Sequence, residues 1–138
     1  MLKFFIDANT LVSGLLFPGL ESQLLEAGRL SLCQLHTNRY VLSEVEKTLH
    51  KPLFKLESQE LEELIAILHD LLVIHPNPSK KEIKKHNHLL NDKKDLPVLI
   101  GAQKAYCDFL VTGDKELQKI EQIKTLSTRQ GLKKLRLL

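Results

Sequence analysis

The sequence of 138 residues is poor in several residue types that mark particular classes of protein. It has no tryptophan and only 5% aromatic residues, so exposed rings on which nucleic-acid bases stack are not evident. Its two cysteines, Cys33 and Cys107, lie in apolar surroundings, which favours buried free thiols of a cytoplasmic protein over a disulfide. No apolar run is long enough to span a membrane, and no signal peptide is visible.

Other features that the sequence lacks narrow the class of protein further. The six glycines form no phosphate-binding loop of either common pattern, which argues against a nucleotide cofactor. The net charge of +3 is too small to indicate nucleic-acid binding by itself. With 43% hydrophobic and 27% charged residues, the chain has the composition of an ordinary globular protein. Its length predicts a single domain, residues 1–138, with a substantial core.

Short apolar runs alternate with helical patterns along the chain. The first run, residues 2–6, is typical of a central strand covered on both faces, and it ends at Asp7. We predict that helices separate the strands and that Gly28 and Ser58 mark a helix end and a helix start. The alternation predicts an α/β fold with a parallel sheet and helices on both sides. The further strands are predicted at residues 30–35, 72–74, 109–111 and 123–126.

Acidic residues stand at the ends of these elements. Asp7 ends the first strand, and Asp114 follows the strand at residues 109–111. An Asp before a helix is commonly a cap, and capping alone would explain Asp95 or Asp114. The carboxyl ends of parallel strands meet at one edge of a sheet, however, so we expect Asp7 and Asp114 to lie close together. The other candidate acids are Asp92, Asp95, Glu44 and Glu46.

A cluster of carboxylates has a definite chemistry. The carboxylates repel one another unless a cation neutralises them, and hard divalent ions such as Mg²⁺ prefer oxygen ligands. Without such an ion, we expect the pKa of at least one carboxyl group to be raised. A carboxylate site without His or Cys suits phosphoryl chemistry, in which metal ions orient water and stabilise the leaving oxygen.

Four stretches of the sequence carry a family resemblance. Two of them are residues 7–16, Asp-Ala-Asn-Thr-Leu-Val-Ser-Gly-Leu-Leu, and residues 110–117, Leu-Val-Thr-Gly-Asp-Lys-Glu-Leu. They resemble the opening and the fourth-acid motif of PIN domains, a nuclease fold. Residues 42–52 are similar to its Glu-bearing helix, and residues 95–102 to the helix that carries its third acid. The motifs occur in the family's order and cover nearly the whole chain. The pattern is most similar to the toxin components of toxin–antitoxin pairs.

The resemblance implies a PIN-like three-layer α/β/α fold, with a parallel central sheet of four or five strands. It also implies a ribonuclease that depends on Mg²⁺ or Mn²⁺ and cleaves RNA phosphodiester bonds. Its implied partners are an RNA substrate and a cognate antitoxin protein, and since relatives are commonly dimers, a homodimer is a further expectation. The implied catalytic acids are Asp7, Glu44, Asp95 and Asp114, with Asp7, Asp95 and Asp114 as metal ligands and with Asn9 and Thr112 supporting them by hydrogen bonds.

Two assignments stay open when the residues are considered alone. Helical periodicity does not choose between Glu44 and Glu46, and only the family pattern selects Glu44. The stretch before Asp95 is longer and more basic than the family pattern, so Asp92 remains an alternative to Asp95.

The basic stretch, residues 75–94, contains six lysines and three histidines. We predict a surface loop and a short helix here, with most of the lysines solvated. The position of the stretch just before a predicted catalytic helix makes phosphate contact a second interpretation. The lysines concerned are Lys80, Lys81, Lys84 and Lys85.

Two other functions compete with a ribonuclease. One is a catalytically inactive PIN-like module that binds RNA or a protein. The other is a phosphatase of the haloacid dehalogenase type, which also begins with an Asp after its first strand. Those phosphatases need a second Asp two residues later, where this chain has Asn9, so we rank this function lower.

Overall fold

A five-stranded parallel sheet forms the centre of the computed structural model, which describes residues 1–90 and 92–138. The strand order is β3-β2-β1-β4-β5, so the first strand of the chain lies in the middle of the sheet. The predicted α/β fold with a parallel sheet is confirmed. The strands are β1 (Lys3–Ile6), β2 (Gln34–Asn38), β3 (Val73–His75), β4 (Phe109–Val111) and β5 (Thr125–Leu126).

Helices cover both faces of the sheet, which is why β1 is apolar at consecutive positions. Phe4, Phe5 and Ile6 have no solvent exposure at all. None of the helices in the described residues is long and apolar enough to cross a membrane. The helices are α1 (Ala8–Leu16), α2 (Leu20–Arg29), α3 (Arg39–Leu49), α4 (Ser58–Leu71), α5 (Lys80–Lys85), α6 (Leu96–Lys104), α7 (Lys115–Gln118) and α8 (Thr128–Lys134), with 3₁₀ turns at Pro52–Phe54 and Lys93–Asp95.

The second strand differs from its prediction. It was expected at residues 30–35, but β2 runs from Gln34 to Asn38 because α2 continues through Gly28 to Arg29. Gly28 therefore does not end the helix. A Cβ atom at Gly28 would stand 2.4 Å from Leu35 Cδ1, so close packing of α2 on β2 requires the glycine. The reversal after the helix instead uses Ser31, which has a positive φ of 60°.

The start of α4 also differs from its prediction. Ser58 was expected to be the cap, but it is the first helical residue, and Glu57 is the N-cap. The backbone N–H of Glu57 donates to Glu60 Oε1 at 3.0 Å, which satisfies one free amide at this helix start.

Both cysteines are free thiols, as predicted. Cys33 is buried, and burial raises the pKa of its thiol to about 11. Cys107 is only half-buried, yet burial also raises its pKa, to about 12. Since the thiolate is the reactive form of cysteine, both side chains are expected to be unreactive at neutral pH.

The edge strand β3 is joined to β2 through side chains as well as backbone. His36 Nδ1 and His75 Nε2 are 2.9 Å apart, and their rings are stacked. Burial, followed by the charges of His75 and Lys3, lowers the pKa of His36 to about 4. A neutral His36 ring can therefore share this hydrogen bond at physiological pH.

Candidate active site

The carboxyl ends of β1 and β4 bring two polar residues together. Ile6 pairs with Val111 in the parallel ladder, so Asp7 and Thr112 leave the sheet side by side. Asp7 is buried, and its Oδ1 accepts the backbone N–H of Thr10 at 3.0 Å, which caps α1. Its Oδ2 accepts the Thr112 hydroxyl at 2.5 Å. Donors from two different elements thus hold the Asp7 carboxylate in place.

Thr112 connects Asp7 to Asp114. The Thr112 hydroxyl oxygen accepts the backbone N–H of Asp114 at 3.0 Å while it donates to Asp7. Asp114 Oδ1 in turn accepts the N–H groups of Glu116 at 2.8 Å and Leu117 at 3.3 Å, which caps α7. The Asp114 side chain is exposed at this edge of the sheet. One hydroxyl group therefore links the two acids that the sequence predicted to be neighbours.

The surroundings of Asp95 destabilise the ionised form of its carboxyl group. It is half-buried at the N-cap of α6, but its side chain makes no capping hydrogen bond. Burial raises its pKa to about 6, with further contributions from the charges of Asp114 and Asp92 and from a hydrogen bond with Asp114. The repulsion expected among clustered carboxylates is thus found at Asp95, which lies beside Asp114.

Asp92, the alternative to Asp95, has a different environment. Its side chain is exposed, and Oδ1 accepts the backbone N–H of Lys94 at 2.9 Å, which caps the Lys93–Asp95 turn. Asp92 and Asp114 both act on Asp95 through their charges. Asp95 is the half-buried acid of the neighbouring pair, and Asp92 is the exposed one.

Asn38 fixes the start of α6, and with it Asp95, against the sheet. The Asn38 side chain has no solvent exposure. Its Oδ1 accepts the N–H of Val41 at 3.0 Å, which caps α3, and its Nδ2 donates to the carbonyl oxygen of Pro97 at 2.9 Å. The cross-link to Pro97 was missed, because it joins residues that are distant in the chain.

Glu44 and Glu46 lie in different surroundings on α3. Glu44 is half-buried, pairs with Lys47 at 3.8 Å, and is one helical turn after Tyr40. Burial raises the pKa of the Tyr40 phenol, and so do the charges of Glu44, Asp95 and Asp92, in that order. Glu46 is exposed and lines a groove with His50 and residues of α4. The side of α3 that faces Asp95 is therefore the one with Tyr40 and Glu44.

The remaining predicted residues lie at the surface. Asn9 is exposed in the first turn of α1, and within the described part of the chain its side chain makes no hydrogen bond. Four of the six lysines of the basic stretch are exposed on α5, which packs against α6. Sequence reasoning missed Tyr40, although its position four residues before Glu44 in a helical pattern was a usable signal.

The donor set suits a hard divalent cation, although the acids are not arranged as a complete metal site. Across residues 1–90 and 92–138, no group of three or more His, Cys, Asp or Glu side chains is placed to hold a metal ion. The neighbours Asp95 and Asp114 offer carboxylate oxygens only, which are the ligands that Mg²⁺ and Mn²⁺ prefer. A bound cation would also relieve the repulsion that contributes to the raised pKa of Asp95.

Comparisons with solved structures agree with the observed fold. The crystal structure of PAE2754 from Pyrobaculum aerophilum is similar with a TM-score of 0.69 and 15% identity, over 99% of this chain and 97% of that one. VapBC2 from Rickettsia felis, bound to a DNA fragment from their promoter, is similar with a TM-score of 0.67 and 16% identity, over 91% and 98%. A domain of a functionally unknown protein from Methanocaldococcus jannaschii has a TM-score of 0.55 and 19% identity, over 92% and 91%.

One of two sequence comparisons identifies the family of the chain. The search of curated proteins found no significant match. The family description "PIN domain" matches residues 3–116, a span that begins with β1 and includes Asp7, Glu44, Asp95 and Asp114. PIN domains are generally nucleases and typically use divalent metal ions. Because this match covers most of the chain and the sheet has the corresponding architecture, the chain belongs to the PIN domain family.

Proposed function

We propose that this protein is a divalent-metal-dependent endoribonuclease that acts as the toxin of a toxin–antitoxin pair. The observation that supports it best is the connection from Asp7 through the Thr112 hydroxyl to Asp114, with Asp95 beside Asp114. Membership of the PIN family supports hydrolysis of nucleic acid. The fold that the chain shares with VapBC2 supports an antitoxin partner.

In this proposal Asp7, Asp95 and Asp114 hold Mg²⁺ or Mn²⁺. The ion, when bound, supplies positive charge at the scissile phosphate and lowers the pKa of a water molecule. Thr112 and the backbone N–H of Thr10 hold the two oxygens of Asp7, so the orientation of this carboxylate is fixed by the fold. Glu44 orients the attacking water from the side of α3.

The decisive experiment is incubation of the purified protein with mixed RNA in Mg²⁺, in Mn²⁺ and in EDTA. We expect cleavage with either metal and none in EDTA. Because a cation binds the folded acid cluster and not the unfolded chain, Mg²⁺ should also raise the melting temperature. Binding of RNA without cleavage in both metals would overturn the nuclease proposal in favour of a catalytically inactive RNA-binding module.

The neighbouring acids allow a matched test of the site. We expect Glu44→Gln and Asp95→Asn to reduce the rate of RNA cleavage at least about tenfold, because each substitution removes a carboxylate of the proposed site. The control variants Glu46→Gln and Asp92→Asn should stay within about twofold of wild type, because Glu46 faces away and Asp92 caps a turn. Equal losses of activity in Asp92→Asn and Asp95→Asn would show that the assignment of the third acid to Asp95 is wrong.

We further propose that the lysines of α5 contact RNA phosphates, since α5 packs against the helix that follows Asp95. Changing Lys80, Lys81, Lys84 and Lys85 to Ala should weaken RNA binding and flatten its salt dependence. Each lost contact should lower the magnitude of the log–log slope by about 0.7 for single strands. Lys51→Ala and Lys133→Ala, at other exposed positions, serve as controls. An unchanged slope would show that these lysines are solvated and do not contact RNA phosphates.

A further inference from the structure

Tyr40 is a polar aromatic residue in a site otherwise made of acids. Its ring is half-buried and packs against the hydrophobic core, so the hydroxyl is the part left for polar contacts. Tyr40 and Glu44 are four residues apart on α3 and therefore lie on the same face of that helix. In the part of the chain that the structure describes, the Tyr40 hydroxyl makes no hydrogen bond to protein.

Asn38, two residues before Tyr40, fixes the start of the helix that carries Tyr40. Asn38 caps α3 through the N–H of Val41 and binds the first turn of α6 through the carbonyl oxygen of Pro97. Because Asn38 is fully buried, the starts of α3 and α6 are held together with little freedom. Tyr40 therefore lies within the electrostatic reach of both Glu44 and Asp95.

This arrangement gives the site a neutral donor. The carboxylates repel the phosphate of a nucleic-acid strand, and the nearest lysine on α3, Lys47, is paired with Glu44. A phenol O–H can donate to an anionic oxygen without adding a charge that would compete with a divalent ion. Since its ring is packed, ordering the hydroxyl costs little conformational entropy when substrate binds.

We propose that the Tyr40 hydroxyl donates a hydrogen bond to a phosphate oxygen of the bound RNA strand and so positions that strand against the acids. The inference rests on the proposed ribonuclease function and extends it by naming a substrate-positioning residue. Tyr40→Phe is the direct test, because it removes the hydroxyl and keeps the ring. Tyr106→Phe is the matched control, since Tyr106, the other of two tyrosines, is 86% exposed beyond the end of α6.

The experiment has three readouts. In an Asp114→Asn background that binds RNA without cutting it, Tyr40→Phe should raise the RNA dissociation constant about tenfold, as expected for a lost hydrogen bond to a charged group. With Asp114 intact, Tyr40→Phe should leave the melting temperature of the protein unchanged, because the hydroxyl has no partner among residues 1–90 and 92–138. The Tyr106→Phe variant has Tyr40 as its remaining tyrosine and contains no tryptophan. Its tyrosine fluorescence therefore reports on Tyr40 and should change when RNA binds.

The outcomes separate the two proposals. If the wild-type protein does not cleave RNA in Mg²⁺ or Mn²⁺, the ribonuclease function fails and this inference fails with it. If the wild type cleaves RNA and Tyr40→Phe binds and cleaves as well as Tyr106→Phe, only the role of Tyr40 is wrong. A melting temperature lowered by several degrees in Tyr40→Phe would assign the hydroxyl a structural role and would also overturn the inference.

Discussion

Replacing Asp114 by Asn is expected to abolish metal-dependent RNA cleavage, with a loss on the order of a hundredfold or more. The fold should survive, because an Asn side-chain oxygen can cap α7 through the N–H groups of Glu116 and Leu117 as Asp114 does now. The substitution therefore removes a negative charge from the site with little change in local structure. Initial rates of RNA cleavage in Mg²⁺ and Mn²⁺ measure the effect.

Asp7→Asn should abolish cleavage to a similar extent, but with a greater structural cost. The Thr112 hydroxyl donates to Asp7 Oδ2 and accepts from the N–H of Asp114. An amide nitrogen at the Oδ2 position would be a second donor facing that hydroxyl, so the network must rearrange. Asp114→Asn is thus the cleaner test of chemistry, and the exposed Asp70→Asn is a suitable control. Wild-type rates in a well-folded Asp114→Asn protein would show that the proposed site is wrong.

The second large effect is on stability, and it concerns Asn38. Asn38→Asp should lower the free energy of unfolding by about 3 kcal/mol at neutral pH. The new carboxylate can still cap α3, since Asp and Asn are equally good caps. It cannot donate to the carbonyl oxygen of Pro97, however, and it places an acceptor against that carbonyl at a fully buried position. The buried hydrogen bond is replaced by a repulsive contact.

Urea unfolding of Asn38→Asp and wild type would measure this difference. Ser79→Asp provides the control, because Ser79 caps α5 through Glu82 at an exposed position where an Asp can take over the cap. Its free energy of unfolding should stay within about 0.5 kcal/mol of wild type. If Asn38→Asp were equally harmless, the bond to Pro97 would contribute little to holding α6 on the sheet.

Local patterns in the sequence determined the centre of the fold. The run Phe4, Phe5 and Ile6 predicted a central strand, because only a strand with both faces covered is apolar at every position. Strand β4 has its predicted bounds. The placement of Asp7 and Asp114 at one edge of the sheet was predictable because parallel strands end there, a property that follows from local pattern and topology.

The position of β2 was decided only by tertiary packing. Leu30 and Leu32 made residues 30–35 look like a buried strand, but they are 54% and 48% exposed. Composition cannot show that an apolar residue lies at the surface, since folded proteins expose many of them. In the folded chain α2 runs on to Arg29 and β2 starts at Gln34, and Gly28 of the helix packs closely against Leu35 of the strand.

Tertiary structure also decided which acids meet. Asp92 and Asp95 both lie at the starts of helical turns, so the local sequence predicts a cap for each. Only in the folded chain does Asp92 cap a turn while Asp95 stays uncapped and lies against Asp114. Capping is a local interaction that the sequence reveals, whereas repulsion between acids from distant segments arises only after the chain has folded.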